Sequence, residues 1–232
     1  MSRIQVFALG FLTAVAVLIA LLGLNRPPAE QAVLMPAVDR DQDEGAPAAG
    51  MFLVARRALA DPYFAGAVVL LLEHGSHGTL GLIVNRRFHI TLAEALPDLG
   101  LPQADQHRVF FGGPLGSHQV FMLLRGDQPV ADARHVAADI YFSADRDVLD
   151  EALEKNLPGD TLHFYLGYAS WTAGQLAYEI TRGSWHLIPG NSSVVFDAAS
   201  DRLWKRLIDE LEPQGIEVRH KGGDTLLAAL PD

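Results

Sequence analysis

The sequence contains no cysteine in its 232 residues. That absence removes disulfides, thiolate nucleophiles, cysteine-ligated zinc and any lipid-bearing cysteine, while leaving the compartment open. Positive charge is scarce as well: 18 Lys and Arg stand against 28 Asp and Glu, a net charge of −10. Holding a phosphate backbone depends on counterions released by Lys and Arg contacts, so nucleic acid is disfavoured as a partner. H-E-x-x-H is missing, and the glycine-rich FFGGPLG lacks the Lys and Ser/Thr of a phosphate loop, which takes away two motif-borne routes to metal and nucleotide chemistry.

What is present begins with a long apolar run. Ile4 to Leu24, IQVFALGFLTAVAVLIALLGL, has Gln5 and Thr13 as its only clearly polar side chains. At about 1.5 Å per residue, a helix of that length spans roughly 30 Å, the thickness of a bilayer core. Residues 1–24 are therefore expected to form a retained, single-pass membrane anchor, with a cleaved signal peptide or an upstream start as alternatives. Arg3 precedes residues 4–24, whereas Arg26 and mostly acids follow, which places the N-terminus in the cytoplasm and the rest in the periplasm. Residues 25–50 mix Pro, Ala, Gly and acids with little apolar periodicity and read as a flexible linker. A folded domain is expected over 51–232.

Within that domain, strands are predicted at 52–55, 67–73, 79–84, 109–111, 120–125, 139–142, 161–166, 185–188 and 194–196. The two apolar runs either side of EHGSHG have the pattern of a hairpin buried on both faces. Helices are predicted at 91–96, 144–156 behind Ser143, from Thr172 behind a capping-box spacing to Gln175, and at 200–211. Strands outnumber helices and several are sequential. The expected fold is α+β, with a mixed, barrel-like sheet and about four flanking helices, behind an N-terminal transmembrane helix.

Three stretches invite a chemical reading. LGYASWTAGQLAYEI, 166–180, runs from strand to helix through Ser170, as a nucleophile elbow does. Trp171 stands beside the serine, however, where the strained turn of G-x-S-x-G needs small neighbours to close, and Gly167 is one position too far away. Ser170 and Thr172 are better placed to satisfy free N–H groups at the helix start, where a small anion could also settle. Glu73, His74 and His77 suggest a metal, but histidines three apart across a Gly-Ser turn do not converge as they would on a helix. Gly112 and Gly113 fit a tight turn, and Asp145 and Asp147 fit the dipole of a helix start. No catalytic set, metal site or cofactor is read from these residues.

Five stretches taken together resemble the AlgH/YqgE family of bacterial proteins: ALADPYFAGAVVLLLEHGSHGTLGLIVNR at 58–86, FFGGPLG, SADRDVLDEAL, LGYASWTAGQLAYEI and WHLIPGNSSVVFD. They occur in the family's order and cover nearly all of 51–212. The resemblance implies a compact α+β fold with no established enzymatic activity, a possible regulatory role in envelope or exopolysaccharide functions, and cytoplasmic relatives that begin near Met51. It points to Glu73, His74, Asn85 and Gln175, with Gly112, Gly113, Gly167 and Trp171, as candidate ligand-binding positions, to which the strand-to-helix corner adds Ser170. A small ligand or protein partner is then the expected mode of action, against a hydrolase or transferase using His74 and Ser170. The chain departs from the family pattern at Arg86-Arg87, at Gln119-Val120-Phe121 where an Arg is usual, and at Ala177 where an acid is usual, so it lacks that Arg and that acid.

Overall fold

The computed structural model describes residues 46–97, 100 and 102–213. Ten strands follow one another as β1 (Phe52–Ala55), β2 (Val68–Gly75), β3 (Gly78–Ile83), β4 (Arg87–Thr91), β5 (Arg108–Phe111), β6 (Leu115–Arg125), β7 (Arg134–Ala137), β8 (Ile140–Ser143), β9 (Leu162–Trp171) and β10 (Trp185–Ile188). The helices between and after them are short: α1 (Leu92–Ala95), α2 (Arg146–Glu154), α3 (Gln175–Thr181), α4 (Ser192–Val195) and α5 (Ser200–Leu211).

The strands make one sheet in the order β10-β1-β2-β3-β9-β6-β8-β7, with β5 beside β9 and β4 beside β5. All pairs are antiparallel except β5 with β9. The expected α+β, barrel-like sheet flanked by helices is therefore corrected. The sheet is single, overwhelmingly antiparallel and open, its helices are few, and β10 and β7 are not hydrogen-bonded to each other. The ends of the sheet do approach one another. Arg134 of β7 reaches the Leu72 carbonyl and Glu73 on β2, and a Cβ on Gly50 or Gly190 would run against Ala137. These are side-chain and close-packing contacts, so the edge is covered without a closing ladder.

The expected anchor at 4–24 and the linker at 25–50, except its last residues, lie outside the described residues. No helix among the described residues is long and apolar enough to cross a membrane. The expected transmembrane helix is thus not found within the described residues, and the membrane-anchored, periplasmic reading is not carried further.

Continuous apolar strands follow from burial on both faces. Alternate residues of β1, β2, β3 and β9, including Leu53, Val69, Ile83 and Trp171, form one cluster with Leu176 of α3. Val109, Met122 and Phe164 form another against Val148, Leu149 and Leu153 of α2. The intervening positions, such as Phe52, Leu70, Leu82, Leu123 and Tyr165, are buried too. Local chemistry corrects three predicted boundaries. Residues 194–196 are not a strand, because the Asn191 side chain accepts from the Ser193 N–H and turns Ser192–Val195 into a helix. Asp145, and not Ser143, caps α2. β9 runs five residues beyond its predicted end, so Ser170 lies in a strand.

Candidate functional site

The residues singled out by sequence sit around β9 but do not meet in one pocket. Pairing registers decide their directions. His74 faces Thr79 and Thr79 faces Trp171, whereas Glu73 faces Leu80 and Leu80 faces Ser170. Successive rows of a sheet point to opposite faces. His74 and Ser170 are therefore two strands apart and on opposite sides, and cannot share the hydrogen bond that a base and its nucleophile need. His74 Nδ1 is bonded to Thr79 Oγ1 at 2.7 Å. Glu73 pairs with Arg134 at 3.0 Å.

Asn85 is buried, with its two amide ends both used. Its Oδ1 accepts from the Val68 N–H at 2.8 Å and its Nδ2 donates to the Gly66 carbonyl at 2.9 Å. The side chain thus ties the end of β3 to the turn that starts β2. Gly112, Gly113 and Gly167 meet where β5 gives way to β3 along one edge of β9. Gly112 N–H donates to Leu166 O, and Gly112 O accepts from Ile83 N–H, both at 2.8 Å. A Cβ on Gly112 would collide with the Gly167 carbonyl, and one on Gly113 with the backbone of Tyr168. This is a crossing of backbones, and it leaves no room for a bound phosphate.

The corner at 171–175 has its own logic. The cap of α3 is Gly174, in the left-handed region at φ 76°, and no side chain bonds the first turn. Thr172 instead donates through its N–H and its hydroxyl to Gln175 Oε1. Gln175 Nε2 then donates to Glu179 Oε1 at 3.0 Å, while the indoles of Trp171 and Trp185 both donate to Glu179 Oε2 at 2.9 Å. Phe64 lies 5.6 Å from each indole ring, held there by Asp61, whose carboxylate accepts from the N–H groups of Tyr63 and Phe64. Sequence reasoning named Trp171 and Gln175 and missed Glu179. The available signal was that two buried indole N–H donors need an acceptor, and an acid stands one turn beyond Gln175.

On β9, His163 is stacked on Phe110 at 4.5 Å between ring centroids and lies 3.4 Å from the Tyr165 hydroxyl. Burial, reinforced by the nearby Arg87 charge, pushes His163 down to about 4. Burial likewise lowers His107, and it raises the Tyr165 phenol. At neutral pH the pair is uncharged.

A concavity of about 320 Å³ lies elsewhere, between the end of β6, residues 129–131 and α2. Leu124, Val130, Val148 and Ala152 give it an apolar floor, and Arg125, Glu151 and Lys155 stand among its lining residues. Lys155 pairs with Glu151 at 2.6 Å, and Arg125 with Asp139 at 3.3 Å. Its size is at the lower end of small-molecule sites. No serine, threonine, tyrosine or histidine lines it, and no group of three or more metal-ligating side chains suited to an ion occurs among the described residues. Nothing in the sequence marks this groove, because its residues come from three separate segments and repeat no motif.

Comparison with known proteins agrees with this architecture. The family model described as AlgH-like matches residues 52–215. A UPF0301 protein of Saccharophagus degradans is 33% identical over 170 residues, 72% of this chain and 82% of that protein. One from Chromobacterium violaceum is 37% identical over 150 residues, 63% of this chain and 80% of its own length. The solution structure of the AlgH protein from Pseudomonas aeruginosa is similar with a TM-score of 0.59 and 27% identity, covering 74% of this chain and 97% of that one. A crystal structure of a Corynebacterium diphtheriae protein is similar with a TM-score of 0.61 and 25% identity, covering 74% and 90%.

Proposed function

From the premise that this chain belongs to the AlgH-like family, we propose that it is a non-catalytic binding domain whose α2 groove takes a small molecule with an apolar body and an anionic group. The observation that carries this reading is the groove itself: an apolar floor beside Arg125 and the Lys155–Glu151 pair, with no hydroxyl, thiol or imidazole in its lining. The opposed directions of His74 and Ser170 speak in the same sense against the hydrolase or transferase reading. Every other candidate position has a bonding or packing role in the sheet. A regulatory role, as the family resemblance implied, fits a protein that registers a bound molecule without transforming it. Nucleic acid stays outside this reading because of the net charge of −10.

The probe for the groove is 1-anilinonaphthalene-8-sulfonate, an apolar ring system with one sulfonate. The expected result is a saturable fluorescence increase, with Lys155→Glu weakening the dissociation constant about five- to tenfold, as befits reversal of one exposed charge. The Lys155 side chain is 62% exposed, so the melting temperature should stay within about 2 °C. Equal affinity in both proteins would remove the groove from the account.

A further inference from the structure

β4 is the outlying strand of the sheet. Among the described residues its one ladder partner is β5, and only Arg87 and Thr91 are in register with it, opposite Phe110 and Arg108. Its first four residues are exposed. Phe88 and Ile90 are each 37% exposed and lie in the stretch between those two registers, where β4 bulges away from a regular ladder with β5. Phe88 rests edge-on against Phe111 at 5.8 Å, so part of an apolar stripe continues from the core to the surface along this strand.

The charge around β4 runs against that of the whole chain. Arg87 lies with its guanidinium 5.4 Å from the Phe110 ring centre. Arg108 donates through one Nη to the His89 carbonyl at 2.9 Å, which draws a second guanidinium up to the strand. The nearby carboxylates are engaged: Glu94 accepts from the Thr91 backbone and hydroxyl, and Asp197 is bonded to Arg206. Neither Arg87 nor Arg108 has a carboxylate partner in an ion pair among the described residues. A small basic edge thus stands on a chain of net charge −10.

An exposed edge strand is a template for another extended segment, and main-chain pairing supplies affinity while alternate side chains supply selectivity. We propose that the free edge of β4 docks an extended acidic peptide segment of a partner protein, with apolar residues at alternate positions. Its backbone pairs along β4, its carboxylates meet Arg87 and Arg108, and its apolar side chains lie on Phe88 and Ile90. The occupant follows from charge complementarity: the net negative charge of the chain disfavours an acidic segment over most of its surface, and the two guanidiniums favour it at this edge. The proposal does not rest on the groove at α2.

The test uses the full chain and a fluorescein-labelled hexapeptide alternating valine and glutamate, read by anisotropy. The expected result is saturable binding, weakened at least tenfold by Arg87→Glu and by 0.5 M salt, unchanged in Lys155→Glu, and lost when the same peptide is N-methylated at every second amide. Arg87 lies close to the buried His163, and Arg87→Glu is therefore compared with wild type by circular dichroism before it is scored. The N-methylated peptide on the wild-type chain decides the question without any variant. Binding that survives N-methylation, binding equally tight for a valine–lysine peptide, or no binding at low salt would each overturn the proposal. Self-association abolished by Arg87→Glu, without peptide binding, would give the edge to a second copy and overturn it as well.

Discussion

Glu179 holds together more of the family pattern than any residue the sequence drew attention to. One of its oxygens serves two indole N–H groups and the other serves Gln175, and both tryptophans are 2% exposed. Glu179→Ala leaves buried donors unpaired, and should cost about 2–4 kcal/mol, read as a lower midpoint in urea unfolding. Glu179→Gln keeps an oxygen for the indoles and should lose less than half of that. Equal losses for the two variants would mean that the carboxylate hub contributes little.

His163 makes a prediction of opposite character, because its burial works against the fold in acid. Its ordinary value of 6.5 is pushed down to about 4 in the folded chain. Between those values the unfolded chain takes up a proton that the folded chain refuses, so stability falls as pH drops through that window. The loss amounts to about 3 kcal/mol. Asp197, Asp209 and Glu212, held low by Arg206, Lys205 and His186, add their own losses in stronger acid. His163→Phe preserves a ring on Phe110 and should clearly reduce the fall in unfolding free energy between pH 6.5 and about 4.5, leaving the smaller part that comes from the buried His107. A slope identical to wild type would show that His163 is not the group responsible.

At the scale of elements, the crossing of β5, β3 and β9 is one of the tightest backbone approaches among the described residues. Gly112→Ala puts a methyl group into the Gly167 carbonyl, with rigid backbone on the opposing side. A loss of at least about 3 kcal/mol or failure to fold is expected, checked by soluble yield and thermal unfolding. An unperturbed melting temperature would show that the strands can separate there. This crossing also shows what the sequence could and could not reveal. β1 and β10 were legible to the residue, because short β-branched and aromatic runs between turn residues have few alternatives. β4 and β7 were not: RFHIT and RHVA are too polar to read as strands, and their pairing depends on β5 and β8. Residues 194–196 looked like a strand for the converse reason, two valines and a phenylalanine whose local cap at Asn191 overrode their propensity.

At the scale of the whole molecule, family membership was legible from five stretches, while sheet closure was not. Closure depends on whether β10 and β7 share hydrogen bonds, and no local pattern encodes that long-range register. The candidate site divides in the same way. The motif residues were easy to find because close backbone approach and buried polar bonds restrict sequence sharply, as at Gly112 and Asn85. The α2 groove left no trace, since an apolar floor tolerates many residues and its edge charges resemble any solvated helix face. The positions that stand out in this sequence are those that hold the sheet together, and binding is assigned to positions that do not stand out.

Residue-resolved amide spectra of the full chain, recorded during titration with 1-anilinonaphthalene-8-sulfonate, test that separation most directly. The account predicts that perturbed amides cluster at 124–131 and 148–157, with 73–79 and 170–175 unmoved. Perturbation centred on His74, Ser170 and Gln175, with the groove silent, would contradict it.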